Sequence, residues 1–220
     1  MSHRFSEMRR SLLSLLTVAA VAIAVPTATA QGALEGKQYV KLNPAIPVDT
    51  GKKIEVIEFF SYGCPHCAEL EPYLQDWQKS MPADVSFKRI PVMFQPQWVE
   101  LAKVYYTLEA LGDEGKLSRE VFIDIHSKGM QLWNPAKFYD WAATKGLDRK
   151  KVEDMYTSFA MSGKVNRAKQ LAQVYNIQEV PTMIVDGKFV TGPARAGSHA
   201  AVPVVMNELI AKARAERPKS

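Results

Sequence analysis

The two cysteines of the chain, Cys64 and Cys67, are separated by Pro65 and His66, and no other cysteine is present. Two thiols at this spacing can close a disulfide and reopen it. The attacking species in disulfide exchange is a thiolate, so a redox cysteine needs a lowered pKa. The spacing therefore predicts thiol–disulfide exchange at this motif.

The elements around the motif are those that would position it for exchange. The apolar run Ile54–Phe60 predicts a central strand that leads towards the cysteines. Residues 65–80 predict a helix, because apolar side chains recur at i, i+4 and i+7: Leu70, Leu74 and Trp77. We therefore expect Cys64 at a helix N-terminus, where unpaired backbone N–H groups and the helix dipole stabilise a thiolate.

Each residue of the motif has an expected part in this chemistry. Pro65 suits the first helical position, because its missing N–H removes a donor that would lack a partner there. His66, with partial or full positive charge, would stabilise the Cys64 thiolate, which favours the reduced form and eases departure of the thiolate. Cys67 lies further into the helix, so we expect it to be more buried and assign it the resolving role.

Other uses of two cysteines fit the sequence less well. No second CxxC and no pair of histidines stands at metal-ligand spacing, so we expect no metal site. A c-type haem needs histidine directly after the second cysteine, and Ala68 stands there. A purely structural disulfide with a two-residue spacer would close too small a loop to restrain the unfolded chain much.

Glu58 is the next candidate for chemistry near the thiols. It alternates in phase with apolar positions of Ile54–Phe60, so its carboxyl should face the core, where an unpaired charge is costly. Arg89 is the expected partner, with Lys88 as the second choice. Glu58 would then tune the thiols or transfer protons; the alternative is a strand-end carboxylate that reaches water. We expect Glu71, in the following helix, to be solvated.

The rest of the chain divides into strands near both ends and a helical middle. Residues 98–175 predict several helices and no strand, with Asn134 and Asp148 as N-caps. Asp186-Gly187 predicts a two-residue hairpin turn. The other predicted elements are four flanking strands and a closing helix: Gln38–Leu42, Val85–Ile90 with Pro91 ending it near an edge, Thr182–Val185, Lys188–Thr191, and the helix 200–214.

The N-terminus has the pattern of a secretory signal. Arg9 and Arg10 precede an apolar core of 14 residues, Leu12–Val25, which is short of the roughly 20 that a membrane span needs. The Ala-Thr-Ala of positions 28–30 fits a cleavage site, so we expect residues 1–30 to be removed; an uncleaved membrane anchor is the alternative. Export places cysteines in an oxidising compartment, where they pair readily.

The composition is that of an ordinary globular chain. Hydrophobic residues make up 47% of the 220 residues, and charged residues make up 23%. The formal net charge of +5 falls to +3 without the first 30 residues, which carry three arginines and one glutamate. So small and scattered a charge gives no basis for nucleic-acid binding.

These motifs together resemble a known family. Glu58-Phe59-Phe60, the motif Cys64–Cys67 and Val180-Pro181 ahead of a hairpin closely resemble the DsbA-type periplasmic thiol:disulfide oxidoreductases. The resemblance implies an α/β thioredoxin fold, a central mixed β-sheet flanked by helices, with an inserted all-helical domain. The implied limits are residues 31–96 and 164–220 for the thioredoxin-like domain and residues 97–163 for the insertion.

The resemblance also implies roles for residues around the thiols. Cys64 is the nucleophile, Cys67 is its partner and His66 tunes them. Glu58 matches a buried acid of the family. The family's basic partner for this acid is a lysine, and the local Lys88-Arg89 leaves the choice of partner open.

The resemblance further implies a substrate site, an activity and partners. Pro181 is a cis-proline that binds substrate together with Val180 and Thr182. The motif donates its disulfide to unfolded or newly exported cysteine-containing proteins through a mixed disulfide, and a DsbB-like membrane quinone reductase reoxidises it. No metal or organic cofactor is implied. We expect a monomer in the periplasm.

Two other functions stay open. A periplasmic reductase or isomerase would carry the same motif, although isomerases of this type have an N-terminal dimerisation domain. Only 33 residues separate the predicted cleavage site from Cys64, too few for such a domain. A chaperone-like protein would instead hold unfolded chains on an apolar surface without redox chemistry.

Overall fold

A computed structural model describes residues 32–217, so the predicted signal segment 1–30 lies outside the described residues. Five strands form one mixed sheet: β1 (Val40–Lys41), β2 (Ile54–Phe60), β3 (Val85–Pro91), β4 (Thr182–Val185) and β5 (Phe189–Thr191). Their order across the sheet is β1-β5-β4-β2-β3, which puts β3 at an edge, as predicted from Pro91. β1 is shorter than the predicted strand Gln38–Leu42.

The described residues also form eight helices: α1 (Pro65–Lys79), α2 (Pro96–Leu111), α3 (Glu114–His126), α4 (Pro135–Thr144), α5 (Arg149–Tyr156), α6 (Phe159–Val174), α7 (Pro193–Ala196) and α8 (Val202–Glu216). Helices α2 to α6 follow one another between β3 and β4, which is the helical insertion expected within the thioredoxin fold. Asn134 and Asp148 cap α4 and α5 as predicted, each side chain accepting a backbone N–H. The insertion limits at residues 97 and 163 stay predictions, and they fall inside α2 and α6.

The central strand β2 fixes the start of the cysteine motif. All seven of its residues are buried. It pairs in parallel with β3, where Glu58 stands opposite Arg89, and antiparallel with β4, where Phe59 stands opposite Thr182. The chain therefore leaves β2 beside both β3 and the start of β4 and turns directly into α1.

The two faces of the sheet carry separate apolar clusters. Ile57 and Phe59 pack with residues of the helical insertion, whereas Val56 packs with α1 and α8. This alternation follows from the two-residue period of a strand and makes a layer of helices on each face. None of the helices within residues 32–217 has the length and apolar content of a membrane span.

The hairpin between β4 and β5 turns at Asp186-Gly187, as the sequence predicts. Both residues have positive φ, 54° at Asp186 and 63° at Gly187, as a tight two-residue turn between twisted strands requires. A Cβ on Gly187 would lie 1.9 Å from the carbonyl oxygen of Ile46, so this position has no room for a side chain. The turn sets the register of β4 against β5, in which Val185 stands opposite Phe189.

Candidate active site

Cys64 is the N-cap of α1, and Pro65 is the first helical residue. The carbonyl of Cys64 accepts the backbone N–H of Ala68 at 3.2 Å, which is the first hydrogen bond of the helix. The preceding Gly63 packs against Trp98 so closely that a Cβ would lie 2.3 Å from its Nε1. Glycine at this position therefore lets the turn approach α2 and brings Cys64 to the end of the helix.

The environment of Cys64 favours its thiolate. A hydrogen bond from the Cys67 thiol makes the largest contribution, and the pKa of Cys64 falls from its ordinary 9.0 to about 6. Backbone N–H groups of Cys67 and His66 lower the pKa further, and the charge of His66 adds less. Burial opposes these effects without cancelling them. The helix N-terminus thus contributes as predicted, while the largest contribution comes from the second thiol.

Cys67 has the opposite environment. It is fully buried, whereas Cys64 retains 5% of its surface, and both are free thiols in this structure. Burial raises the pKa of Cys67 well above its ordinary value, and the hydrogen bond to Cys64 raises it further. One thiol of the pair is therefore set to ionise and the other to hold its proton.

His66 belongs to a cluster that the sequence analysis did not identify. Its Nδ1 lies 3.1 Å from Oε2 of Glu69, and this hydrogen bond is the main cause that raises the pKa of His66. The Nε2 atom of His199 lies 3.4 Å from the same carboxylate oxygen. The position of Glu69 three residues after His66 is a helical spacing that could have revealed the first contact, but His199 comes from the segment between α7 and α8.

The segment before β4 faces Cys64. The Val180–Pro181 peptide bond is cis, as the resemblance implies. The Cys64 thiol donates a hydrogen bond of 3.4 Å to the carbonyl oxygen of Val180. Gly192 lies against this segment, since a Cβ there would be 2.8 Å from the carbonyl oxygen of Pro181. Thr182 is buried, and its hydroxyl donates to the carbonyl of Glu179 at 2.7 Å, so its side chain stabilises this turn.

An open cavity lies beside these residues. It has a volume of about 390 Å³ and extends from His66 and Val180-Pro181 to the segment between β5 and α8. Val180, Pro181 and His199 are among its lining residues. The cavity therefore lies next to Val180, whose carbonyl accepts the Cys64 thiol.

A buried charge cluster is formed by Glu58, Glu71 and Arg89 together with the partly buried Glu114. Nε of Arg89 donates to Oε2 of Glu58 at 2.7 Å, and a second nitrogen donates to Glu71. Nη1 of Arg89 donates to Glu114 at 2.8 Å and to Ser118 at 2.9 Å. One guanidinium from β3 thus holds carboxylates from β2, α1 and α3.

Three carboxylates around one cation leave excess negative charge in a buried place. Burial raises the pKa of Glu58 to about 7, and the charge of Glu71 adds to the effect while Arg89 opposes it. Oε1 of Glu58 is buried and has no hydrogen-bond partner among the described residues. The charge of Glu58 also contributes to the raised pKa of Cys67. Glu58 can therefore gain or lose a proton near neutral pH beside the buried thiol.

The structure identifies the partner of Glu58 and corrects the expected exposure of Glu71. Arg89, rather than Lys88, contacts Glu58; Lys88 pairs with Glu55 at 2.6 Å. The expectation that Glu71 is solvated is wrong, because it is only 1% exposed. Glu71 stands four residues after Cys67 and therefore on the same, sheet-covering face of α1.

Sequence reasoning also missed the cluster's partners in the helical insertion. Glu114 and Ser118 lie on one face of α3, four residues apart, and both contact Arg89. Ser118 in addition hydrogen-bonds the hydroxyl of Tyr62 at 3.0 Å. Nothing in the local pattern of α3 marks these residues, because the contact depends on how the insertion packs against β3.

The chain is similar to known proteins over most of its length. Residues 55–198 match the family model of the DSBA-like thioredoxin domain. The thiol:disulfide interchange protein DsbA of Bordetella parapertussis is 40% identical over 204 residues, which are 92% of this chain and 96% of the relative. The protein of the same name from Pseudomonas aeruginosa is 37% identical over 210 residues, 96% of this chain and 100% of the relative.

Solved structures give the same result. The crystal structure of Pseudomonas aeruginosa DsbA is similar with a TM-score of 0.79 at 40% identity, covering 83% of this chain and 95% of the other. The oxidoreductase NmDsbA1 from Neisseria meningitidis is similar with a TM-score of 0.74 at 30% identity, over 83% and 95% of the two chains. The chain therefore belongs to the DsbA family of thiol:disulfide oxidoreductases.

Proposed function

We propose that this thiol:disulfide oxidoreductase works as a dithiol oxidase, in which the Cys64–Cys67 disulfide is the redox group and passes to substrate proteins. The observation that carries the proposal is the asymmetry of the two thiols. The hydrogen bond from Cys67 and the helix N-terminus lower the pKa of Cys64 to about 6, while burial raises that of Cys67. A stabilised thiolate favours the reduced form of the motif, which makes its disulfide a strong oxidant.

The exchange proceeds in two displacements. A substrate thiolate attacks Sγ of Cys64, a substrate–Cys64 disulfide forms, and the Cys64–Cys67 bond breaks with its electron pair on Cys67. A second substrate thiolate then attacks the substrate sulfur, so that the substrate disulfide forms and Cys64 leaves as a thiolate. The substrate loses two electrons and the motif gains them, and no metal or organic cofactor takes part.

Residues around the motif assist these displacements. Cys67 takes up a proton once it is released, because burial disfavours its thiolate. Glu58, whose pKa burial raises to about 7, supplies or accepts that proton, and Arg89 holds its carboxylate in place. Pro65 presets the first helical turn, and Lys88 takes no part. Backbone at Val180-Pro181, next to Thr182, pairs with the substrate segment that carries the attacked sulfur.

The cellular setting follows from the signal pattern and the family resemblance. The protein is exported to the periplasm, where newly exported proteins with unpaired cysteines are its substrates. A DsbB-like membrane quinone reductase accepts the electrons and restores the disulfide. It acts as a monomer.

Trapping the mixed disulfide tests the proposed role of each cysteine. Incubated with a peptide dithiol, the oxidised wild-type chain yields the peptide disulfide. In Cys67→Ser, activated as a mixed disulfide at Cys64, a peptide thiolate attacks Sγ of Cys64, the activating thiol leaves, and a peptide–Cys64 disulfide remains. Cys64→Ser shows no exchange. Intact-mass analysis under non-reducing conditions reads both outcomes. Exchange by Cys64→Ser that equals the wild type would contradict the assignment.

Equilibration with glutathione separates an oxidase from a reductase. We expect a reduction potential near about −120 mV, the value established for DsbA, rather than the roughly −270 mV of thioredoxin. A potential near the thioredoxin value would make the chain a reductant and refute the proposed direction of exchange.

A further inference from the structure

Two histidines and one glutamate meet at the mouth of the cavity beside Cys64. Nδ1 of His66 lies 3.1 Å from Oε2 of Glu69, and Nε2 of His199 lies 3.4 Å from the same oxygen. One ligand atom from each of the three residues lies within 4.8 Å of the other two. Two imidazole nitrogens and one carboxylate oxygen at this proximity form a donor set typical of a transition-metal site.

The two distances to the Glu69 oxygen fit a tetrahedral ion. Zinc binds imidazole nitrogen and carboxylate oxygen at about 2.0–2.2 Å, which makes neighbouring ligand atoms about 3.3 Å apart in a tetrahedron. The two nitrogen–oxygen distances of 3.1 and 3.4 Å lie on either side of that value. Two histidines and one glutamate with an open fourth position are a recurring zinc set. Only small side-chain movements would therefore be needed to admit an ion.

The state of His199 is a second, independent observation. Its Nε2 atom is buried and makes no hydrogen bond among the described residues, although it lies near Glu69. Buried polar atoms without a partner are uncommon and need an explanation. The imidazole rings of His199 and His66 stack with centroids 5.9 Å apart at 23°, and one nitrogen of each ring lies close to the Glu69 carboxylate. A bound cation would satisfy the unpartnered nitrogen.

The protein backbone holds the three ligands from two directions. His66 and Glu69 stand one helical turn apart on α1, so their relative position is set by the helix. His199 lies between α7 and α8, and its carbonyl accepts the backbone N–H of Val202 at 3.2 Å, which anchors it to the start of α8. Sequence spacing gave no reason to expect a metal site, because His199 is remote from α1 along the chain.

We propose that His66, Glu69 and His199 form a binding site for a divalent transition-metal ion of the zinc type, with its fourth position open to the cavity beside Cys64. The ion takes the nitrogen lone pairs of both histidines and neutralises Glu69. It places positive charge near Cys64 without using either thiol, so binding of the ion does not require the cysteines.

Zinc titration of a thiol-free chain tests the site without interference from the cysteines. The protein is the double variant Cys64→Ser/Cys67→Ser without an affinity tag, and isothermal titration calorimetry with zinc chloride measures affinity and stoichiometry. We expect one ion per chain. His199→Gln and Glu69→Gln should each weaken binding at least about tenfold, because each removes one of three ligands. Asp76→Asn, which removes another exposed carboxylate of α1 in an i,i+3 pair, should leave the affinity unchanged.

The NMR resonances of the histidine rings show where on the protein the zinc ion binds. Zinc should shift the rings of His66 and His199 and leave His126, whose Nε2 contacts the carbonyl of Tyr62, unshifted. Absence of binding, or binding that His199→Gln leaves unchanged, would overturn the proposal. Because the titration uses a chain without thiols, its outcome is independent of the proposed oxidase activity.

Discussion

Two groups of residues around the cysteine pair have opposite effects on negative charge. At the exchange face, defined by Cys64, His66 and Val180-Pro181, a hydrogen bond from the second thiol and backbone N–H groups lower the pKa of Cys64 to about 6. In the buried charge cluster around Arg89, burial raises the pKa of Glu58 to about 7 although a guanidinium lies 2.7 Å away. At Cys64, hydrogen-bond donors lower the pKa more than burial raises it. At Glu58, burial raises the pKa more than the single cation Arg89, shared among three carboxylates, lowers it.

The difference shows how the fold separates two tasks of exchange. The exchange face stabilises the anion that must attack and leave. The charge cluster keeps a carboxyl close to its protonation midpoint beside Cys67, whose thiolate is disfavoured. The Cys64 thiolate and a protonated Glu58 can therefore be present at the same pH.

Removing the cation from the charge cluster should have the largest effect. Arg89→Met leaves three buried or partly buried carboxylates without their partner, and we expect it to lower the free energy of unfolding by about 3–5 kcal/mol. Urea unfolding of the oxidised protein measures the change. Arg214→Met, which removes an exposed guanidinium paired with Asp84, is the matched control and should change little. Equal effects of the two variants would show that the buried cluster has no special role in stability.

The raised pKa of Glu58 predicts a pH-dependent stability. Its folded pKa of about 7 exceeds the ordinary 4.5, so the folded state binds more protons between these values and loses stability as pH rises. Glu58→Gln removes this loss while keeping an acceptor for Arg89. Its stability relative to wild type should therefore increase by about 2.5 kcal/mol between pH 5 and pH 8.

Urea unfolding of the oxidised form across this pH range measures the effect, because no thiol titrates there. Glu208→Gln, at a partly exposed position of α8, is the control and should keep the wild-type pH dependence. A Glu58→Gln variant that follows the wild-type curve at every pH would mean that Glu58 ionises in the folded state as it does in the unfolded chain.

The smallest expected effect concerns the surface part of the exchange face. Glu69→Gln removes the hydrogen bond that raises the pKa of His66, so the pKa of His66 should fall. The pKa of Cys64 should rise only slightly, because the charge of His66 contributes less to it than Cys67 and the backbone do. NMR titration of the His66 ring measures the first pKa, and thiolate absorbance measures that of Cys64. A Cys64 pKa near 9 in this variant would show that the imidazolium, rather than the Cys67 thiol and the helix terminus, stabilises the thiolate.

Local patterns predicted much of the fold and the part of the site that is local in sequence. The period of Ile54–Phe60, the apolar spacing in the following helix and the turn at Asp186-Gly187 each reflect one element, and each is confirmed. The position of Cys64 at the start of α1 follows from the same kind of information.

Contacts between distant elements were harder to foresee. His199 reaches the exchange face from the segment before α8, and Glu114 reaches Arg89 from the insertion. Their positions depend on how whole helices pack, which no local pattern records. Glu71 was missed for another reason: a charged residue on the buried face of α1 reads as a solvated one unless its partner, Arg89, is known.

The central claim is that the fold stabilises the Cys64 thiolate and disfavours that of Cys67, and titration of the reduced protein tests it most directly. Thiolate absorbance at 240 nm is followed from pH 4 to pH 10, with Cys64→Ser as the control. We expect one thiol to ionise with a pKa of about 6 and to disappear in Cys64→Ser, with no second ionisation below pH 9. Two thiols that ionise together near 9, or an acidic thiol that persists in Cys64→Ser, would contradict the claim.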